Sequence, residues 1–341
     1  MTNSHLQNRT RLVACSFVAI TCLIPLRLGG DELRGGTVPV LWREPADITS
    51  RNLLYGPGGK KDAPPAGPFK FLKEDLNGSN PKFTVEDRNG TKWKVKMGAE
   101  ARPETVATRF VWAVGYFADE DYFVDRAMLT DVPFGSLHRL KHLVSSDSIV
   151  ANVRFEREGV EKKIDEEWTW KRNTFSNTRE LNGLRVLMSM LNNWDLKDEN
   201  NAVYQAKHSQ QPEHLYVISD LGATFGTPNL VKNHEKSRGN LDAYERSKFI
   251  TRKTADRVDF ASPGRPTWLA IVNPKEYFMR VRIEWIGRDI PRSDARWMGT
   301  LLGRLSPAQI RDAFRSAGYS PDEVERYSRV IERRIAELNA L

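Results

Sequence analysis

Between Phe83 and Met97, apolar and polar residues alternate on either side of Asn89-Gly90. Phe83 and Val85 precede the pair, and Trp93, Val95 and Met97 follow it. A period of two sends successive side chains to opposite faces. Asn-Gly takes the left-handed backbone of a tight turn at little cost, so the stretch predicts a β-hairpin. Pro103 then opens a helix on which Val106, Phe110, Ala113 and Val114 share one face, with Gly115 as its stop. A second strand pair is expected over Ile149–Glu156 and Ile164–Trp170. Leu181, Leu184, Leu187, Met188 and Leu191 mark a buried helix ending near Asn192, and a short strand is expected from Leu215 to Ser219. The C-terminal fifth reads as helical. Ser306-Pro307-Ala308-Gln309 and Ser320-Pro321-Asp322-Glu323 each set a hydroxyl at a helix start, Pro at the first helical position and a reciprocal acceptor three residues on. Val324, Tyr327, Ile331, Ile335 and Leu338 form one stripe on the last helix. Strands come first and helices second, which predicts an α+β class with the two kinds segregated.

The N-terminus reads as an address. Arg9 and Arg11 precede Leu12–Leu26, which is apolar at twelve of fifteen positions, and residues 1–11 carry no acid. A spanning helix needs about 20 apolar residues, so residues 1–30 have the layout of a secretory signal peptide. Leu26-Arg27-Leu28-Gly29-Gly30 lacks an Ala-x-Ala, which makes an uncleaved signal anchor the alternative. Either version places the rest of the chain outside the cytoplasm, periplasmic or secreted. Both cysteines, Cys15 and Cys22, lie in this run, so the remainder excludes disulfides, thiol catalysis and Cys-ligated zinc. Residues 31–68, with Gly56-Pro57-Gly58-Gly59 and Pro64-Pro65, read as a Gly/Pro-rich linker or arm.

Charge narrows the partners. Basic minus acidic residues is 52 − 44 = +8, which permits an anionic partner without requiring one. Residues 232–257 hold eight Lys/Arg against four acids. They read as a solvated loop, with a phosphate-binding, acidic-substrate or membrane-surface face as the alternative. On the last helix Arg326, Arg329, Arg333 and Arg334 alternate with glutamates, so no nucleic-acid partner is expected.

The chemistry centres on Asp195-Leu196-Lys197-Asp198-Glu199-Asn200, which follows the buried helix, and on Asp220-Leu221-Gly222, which follows the later strand. This resembles the protein-kinase-like superfamily, whose catalytic loop runs Asp-x-Lys-x-x-Asn and whose Asp-Phe-Gly lies roughly twenty residues further on. Phosphoryl transfer needs positioning and charge neutralisation more than covalent chemistry. The resemblance implies that Asp195 accepts the proton of the acceptor hydroxyl and that Lys197 steadies the transferring group. Asp220 and Asn200, or Asn201 one step on, would hold Mg²⁺ through oxygen. Lys94 and Lys96 share a face of the hairpin's second strand. One of them matches the phosphate-contacting lysine, and Lys96, nearer the helix, is the choice, with Glu104 as the glutamate that orients it. Gly78-Ser79-Asn80-Pro81-Lys82-Phe83 resembles the phosphate loop of HipA-type kinases, which implies nucleotide contacts from Gly78, Ser79 and Lys82. Arg109 and Gly115 follow Glu104 at the spacing of that family's helix. Type II phosphatidylinositol kinases and secretory-pathway casein kinases are more distant variants. The chain departs from the pattern at Asn193-Trp194, at Leu221 and in lacking Ala-Pro-Glu.

The resemblance spans roughly residues 69–226 and implies a two-lobed fold, a small β-rich N-lobe over 69–171 and a larger helical C-lobe over 172–341. The expected activity is an exported ATP- and Mg²⁺-dependent phosphotransferase acting on a protein, lipid-headgroup or small-molecule hydroxyl. The alternative is a non-catalytic, pseudokinase-type module that binds nucleotide or a partner in the cell envelope.

Overall fold

Asp87 builds the hairpin turn. Its carboxylate accepts from the N–H groups of Asn89 at 2.8 Å and Thr91 at 3.0 Å and from Trp93 Nε1 at 3.0 Å, while Gly90 takes φ 78°. The computed structural model describes residues 36–341 apart from 78–79, 160–161, 165–166, 208, 210, 228–236 and 262–267. Residues 1–30 and the expected contacts from Gly78 and Ser79 therefore lie outside the described residues. No helix among the described residues is long and apolar enough to cross a membrane.

In chain order the N-terminal half is β1 (Val38–Val40), β2 (Phe69–Asp75), β3 (Lys82–Glu86), β4 (Lys92–Lys96), α1 (Ala101–Ala113), β5 (Phe117–Ala118), β6 (Asp121–Thr130), β7 (Ile149–Arg157) and β8 (Lys162–Lys163). Strands β2-β3-β4-β7-β6 close into a barrel through parallel pairing of β2 with β6. Alternation fills it with Phe69, Phe83, Val85, Trp93, Val95 and Phe155, all at most 2% exposed. The same alternation sends Lys82, Thr84, Lys94, Lys96, Arg154 and Glu156 to the outer face.

The partner of β7 differs from expectation. It pairs with β4 and with β6, a strand the sequence hides, and not with residues 164–170. Asn152 takes φ 53° inside β7, and past it the buried positions switch from Val153 and Phe155 to Val150. Across the ladder, β6 switches likewise from Tyr122 to Ala127 and Leu129, which erases a single period-two signal. Trp168 is a packing residue, its Nε1 donating to Val217 O at 3.0 Å.

The second half runs α2 (Arg179–Met190), β9 (Asn201–Gln205), β10 (Glu213–Ile218), α3 (Leu241–Arg246), β11 (Ile250–Lys253), β12 (Arg257–Phe260), α4 (Leu269–Val272), α5 (Pro274–Ile283), β13 (Ile290–Pro291), α6 (Arg292–Leu302), α7 (Pro307–Arg315) and α8 (Pro321–Asn339). The class is α+β, β-rich first and helical later. β10 pairs with β9 antiparallel and with β1 and β5 in parallel. Both capping boxes are complete, at Ser306 with Gln309 and at Ser320 with Glu323. The stretch expected as an arm packs instead: Leu41, Ile48 and Leu53 are buried in the helical core, and Gln309 Nε2 donates to Ile48 O at 2.8 Å.

Two apolar cores result, one inside the barrel and one shared by α1, α2 and the C-terminal helices. Phe314 ties the second together. It stacks on Tyr327 at 5.0 Å and touches Phe110 of α1, Phe225 and Tyr319 at 5.4–6.0 Å. Phe314→Ala should cost about 3–5 kcal/mol in urea unfolding, with Phe314→Leu losing much less. Equal losses would show that the ring contacts, and not the buried volume, set the stability there.

Candidate active site

The barrel's outer face carries a ladder of charges. Lys96 on β4 stands opposite Lys82 on β3 and Arg154 on β7. Lys82 reaches back to Asp75 at 3.2 Å, and Lys94 pairs with Glu156 at 3.1 Å. Lys96 is buried, and its Nζ lies 2.7 Å from Glu100 Oε2, 3.1 Å from Glu104 Oε2 and 3.0 Å from Asp220 Oδ1. Burial disfavours the ammonium, but Glu104, Asp220 and Glu100 outweigh it and hold the lysine above its ordinary range.

Local structure explains the convergence. Glu100 caps α1 and Glu104 sits in its first turn, so an i,i+4 spacing sets both carboxylates on one face, beside the end of β4. Arg154 Nη1 lies 3.3 Å from Glu104 and 2.7 Å from Asp121, and its Nη2 is 2.9 Å from Glu156. Glu100 also meets Arg238 Nε at 2.8 Å and accepts from Asn80 Nδ2. Gly222 permits the closeness, because a Cβ there would fall 2.6 Å from the Glu100 side chain. Burial pushes the Glu104 and Asp121 carboxyls upward, against the pull of Arg154. At Asp220 burial acts the same way, but Lys96 prevails and holds the carboxyl below its usual range. Asp220 also takes φ 21°, rare for a residue with a side chain and a mark of over-determined sites.

The β9–β10 hairpin brings the two aspartate loops side by side. Asn201 pairs with Ile218, and Ser219 N donates to Asn200 O at 3.0 Å. Trp194 N donates to Ala223 O at 3.2 Å, and the Arg238 guanidinium lies 5.4 Å from the centre of the Trp194 ring. Asp195 pairs with Lys197 Nζ at 2.7 Å, and its carbonyl accepts from Asn200 Nδ2 at 2.7 Å. That leaves the Asn200 amide oxygen with acceptor capacity, on a residue whose backbone pairs with Ser219, next in sequence to Asp220. Asn201 is buried and donates to Trp168 O at 2.9 Å, a packing role.

The structure thus gathers Lys96, Glu104 and Asp220 and sets Asp195, Lys197 and Asn200 on the adjoining loop. Lys82 shares the sheet face but is bonded to Asp75. Sequence reasoning missed Glu100, Arg154, Asp121 and Arg238. The Glu100/Glu104 spacing and the Val153-Arg154-Phe155-Glu156 alternation were the available signals. Glu100, Glu104 and Asp220 offer oxygens within 4.8 Å of one another. An all-oxygen set of carboxylates plus the Asn200 amide fits a hard divalent cation.

A cavity of ≈ 490 Å³ lies alongside, lined by Lys94, Tyr116, Asp119, Glu156, Tyr204 and Val217 among others. β4, which carries Lys96, and β10, which leads into the Asp220 loop, both contribute to its wall. Burial, together with Glu156, pushes Asp119 up to about 7, and the Tyr204 hydroxyl donates to it at 3.3 Å.

No family model matches the chain, and no curated protein does. Among solved structures it is similar to the Helicobacter pylori proinflammatory kinase CtkA, at 12% identity over 81% of this chain and 98% of that one, with a TM-score of 0.42. It is also similar to the Golgi casein kinase with Mn/ADP bound, at 9% identity over 82% and 72% of the two chains, TM-score 0.37. The Rio2 kinase–ADP/Mg²⁺-phosphoaspartate complex from Chaetomium thermophilum follows at 9% identity over 78% and 70%, TM-score 0.30.

Arg154→Met should cost about 3–5 kcal/mol at neutral pH by orphaning Asp121 and taking from Glu104 one of its two cations. Those carboxyls are already pushed upward, and once protonated they need no cation, so the loss should shrink as pH falls from 7 to 5. Urea unfolding of both proteins at the two pH values checks this; a penalty unchanged by pH would place the orphaned group elsewhere.

Proposed function

We propose that the chain is a kinase-like phosphotransferase that moves the γ-phosphoryl group of ATP to a hydroxyl acceptor with Mg²⁺. The observation that carries this reading is the single ammonium of Lys96 bonded to both Glu104 of α1 and Asp220 after β10. That arrangement joins the barrel, the helical core and the Asp220 loop at one point.

Charge arithmetic supports a metal partner. Lys96, Arg154 and Arg238 face Glu100, Glu104, Asp121 and Asp220, and 3 − 4 = −1. A triphosphate brought to this cluster meets net repulsion unless a cation accompanies it. Mg²⁺ would supply the positive charge that neutralises the phosphates during transfer. Asp220 and the Asn200 amide oxygen would hold it. Lys96 would exchange a carboxylate for a phosphate oxygen while Glu104 keeps its ammonium in place. Asp195 would take the acceptor's proton as its oxygen bonds to phosphorus and ADP departs, and Lys197, already beside Asp195, would steady the moving group. The cavity next to Lys94, with Asp119 and Tyr204 as its polar groups, has the size and mixed lining expected for a nucleobase.

Within this reading the HipA-type branch is the finer placement, supported by the stretch from Gly78 to Phe83 and by the Glu104, Arg109 and Gly115 spacing. The acceptor is a hydroxyl on a protein, a lipid headgroup or a small molecule. We place the catalytic unit outside the cytoplasm on the strength of the positive end before Leu12–Leu26. A reporter fused after Gly30 should be exported, and full recovery of the fusion in the cytoplasm would contradict that placement.

The decisive test is MgATP affinity and phosphoryl transfer, autophosphorylation included, for wild type, Asp220→Ala, Asp195→Asn and Lys96→Met. Asp220→Ala should lose Mg²⁺-dependent nucleotide binding. Asp195→Asn should keep affinity within a few-fold while transfer falls by about 10²–10⁴, the worth of a positioned base. Lys96→Met should weaken both. Nucleotide binding unaffected by Asp220→Ala would overturn the reading, and wild-type binding without transfer would favour a non-catalytic nucleotide-binding module.

A further inference from the structure

Among the described residues, the three most exposed large apolar side chains sit on one helical corner. Ile271 is 84% exposed, Val272 71% and Phe278 61%, in the α4–α5 pair, with Trp268 just before α4 and Val281 also exposed. The inner side of the corner is anchored: Leu269 and Ile283 are buried in the helical core, and Met279 packs against it. On α5, Lys275, Phe278, Val281 and Arg282 fall at helical spacing on the outward face, and both cations are exposed. Folding therefore spends the inner face on the core and leaves the outer one, with its apolar tips, in water.

We propose that this corner docks on an anionic lipid surface. The apolar tips flank Asn273, which separates the two helices, and are exposed on both sides of it. Aliphatic and aromatic tips above cations are the arrangement that lies in a lipid interface, with tips at the acyl boundary and Lys/Arg among headgroup phosphates. Trp268 stands at the edge of the patch, where an amphipathic ring suits the headgroup layer. The charge points the same way, because the exposed cations of residues 268–283, Lys275 and Arg282, outnumber the one acid there, Glu276, while Arg280 is buried. A second copy of the chain is a poorer occupant, since a self-complementary contact would bring like cations together. The inference is independent of the proposed phosphotransferase activity.

The test uses the full chain with vesicles of phosphatidylcholine, with and without phosphatidylglycerol. The apolar run at Leu12–Leu26 could bind lipid by itself, so hydrogen exchange supplies a local readout. Peptides covering 268–283 should gain protection on phosphatidylglycerol-containing vesicles and not on phosphatidylcholine alone, and added salt should weaken the effect. The double variant Ile271→Asp/Phe278→Asp changes only exposed side chains, so it should keep the wild-type thermal midpoint. Its local protection should vanish, with at least about a tenfold loss of the vesicle binding seen through these peptides. Vesicle binding that leaves 268–283 unprotected would overturn the proposal, as would protection that survives in the double variant. A lipid-free dimer by light scattering that becomes a monomer in the double variant would assign the face to a second copy instead.

Discussion

One ammonium holds the candidate site together. Lys96 touches carboxylates from the turn after its own strand, from α1 and from the loop after β10. Glu100 and Glu104 could not stay charged in that buried place without a cation, and Lys96 could not stay charged there without carboxylates. The interaction is mutual, and Glu104 and Glu100 are further supported by Arg154 and Arg238. A second cation, Arg154, does the same for Glu104 and Asp121 one strand away. The polar layer is thus a network in which positions are over-determined, and that determination fixes where the lysine points.

The network explains why a barrel's outer face is charged yet covered. Barrel strands normally bury one face and wet the other. Here the wet face meets α1, which belongs to the helical core through Val106, Phe110 and Val111. Two apolar cores therefore approach one another across a layer of ion pairs. Hydrophobic contact is non-directional and would let the cores slide. Charged hydrogen bonds at 3.0–3.1 Å do not, and they set the relative placement of β4, α1 and the Asp220 loop.

What was legible in the sequence follows from how local each signal is. The hairpin at Asn89-Gly90, the helix stopped at Gly115 and both capping boxes rest on contacts within a few residues, and all were readable. Strand β6 was not, because the positive φ at Asn152 shifts the buried parity in both paired strands. The stretch 38–53 looked like an arm because its composition is that of a loop. Its burial depends on partners such as Gln309, more than 250 positions away. In the site, Lys96, Glu104 and Asp220 were legible through their spacing to structural signals. Glu100 and Arg238 were not, since an acid at a helix start is ordinarily explained by the helix dipole alone. Their joint role exists only once the chain has folded.

The same geometry bears on how the site could be occupied. Lys96 donates to Glu104 and Asp220 and pairs with Glu100 at 2.7 Å, so carboxylates crowd its ammonium. Any anionic ligand reaching it must displace one of them. Glu104 also has Arg154, and Glu100 has Arg238 and Asn80, whereas the side chain of Asp220 is the most exposed of the three. Asp220 is therefore the carboxylate most readily released toward solvent and a cation, while the other two remain compensated inside the protein. The ion-pair layer thus contains its own order of exchange, with the interior pairs kept and the Asp220 contact given up first.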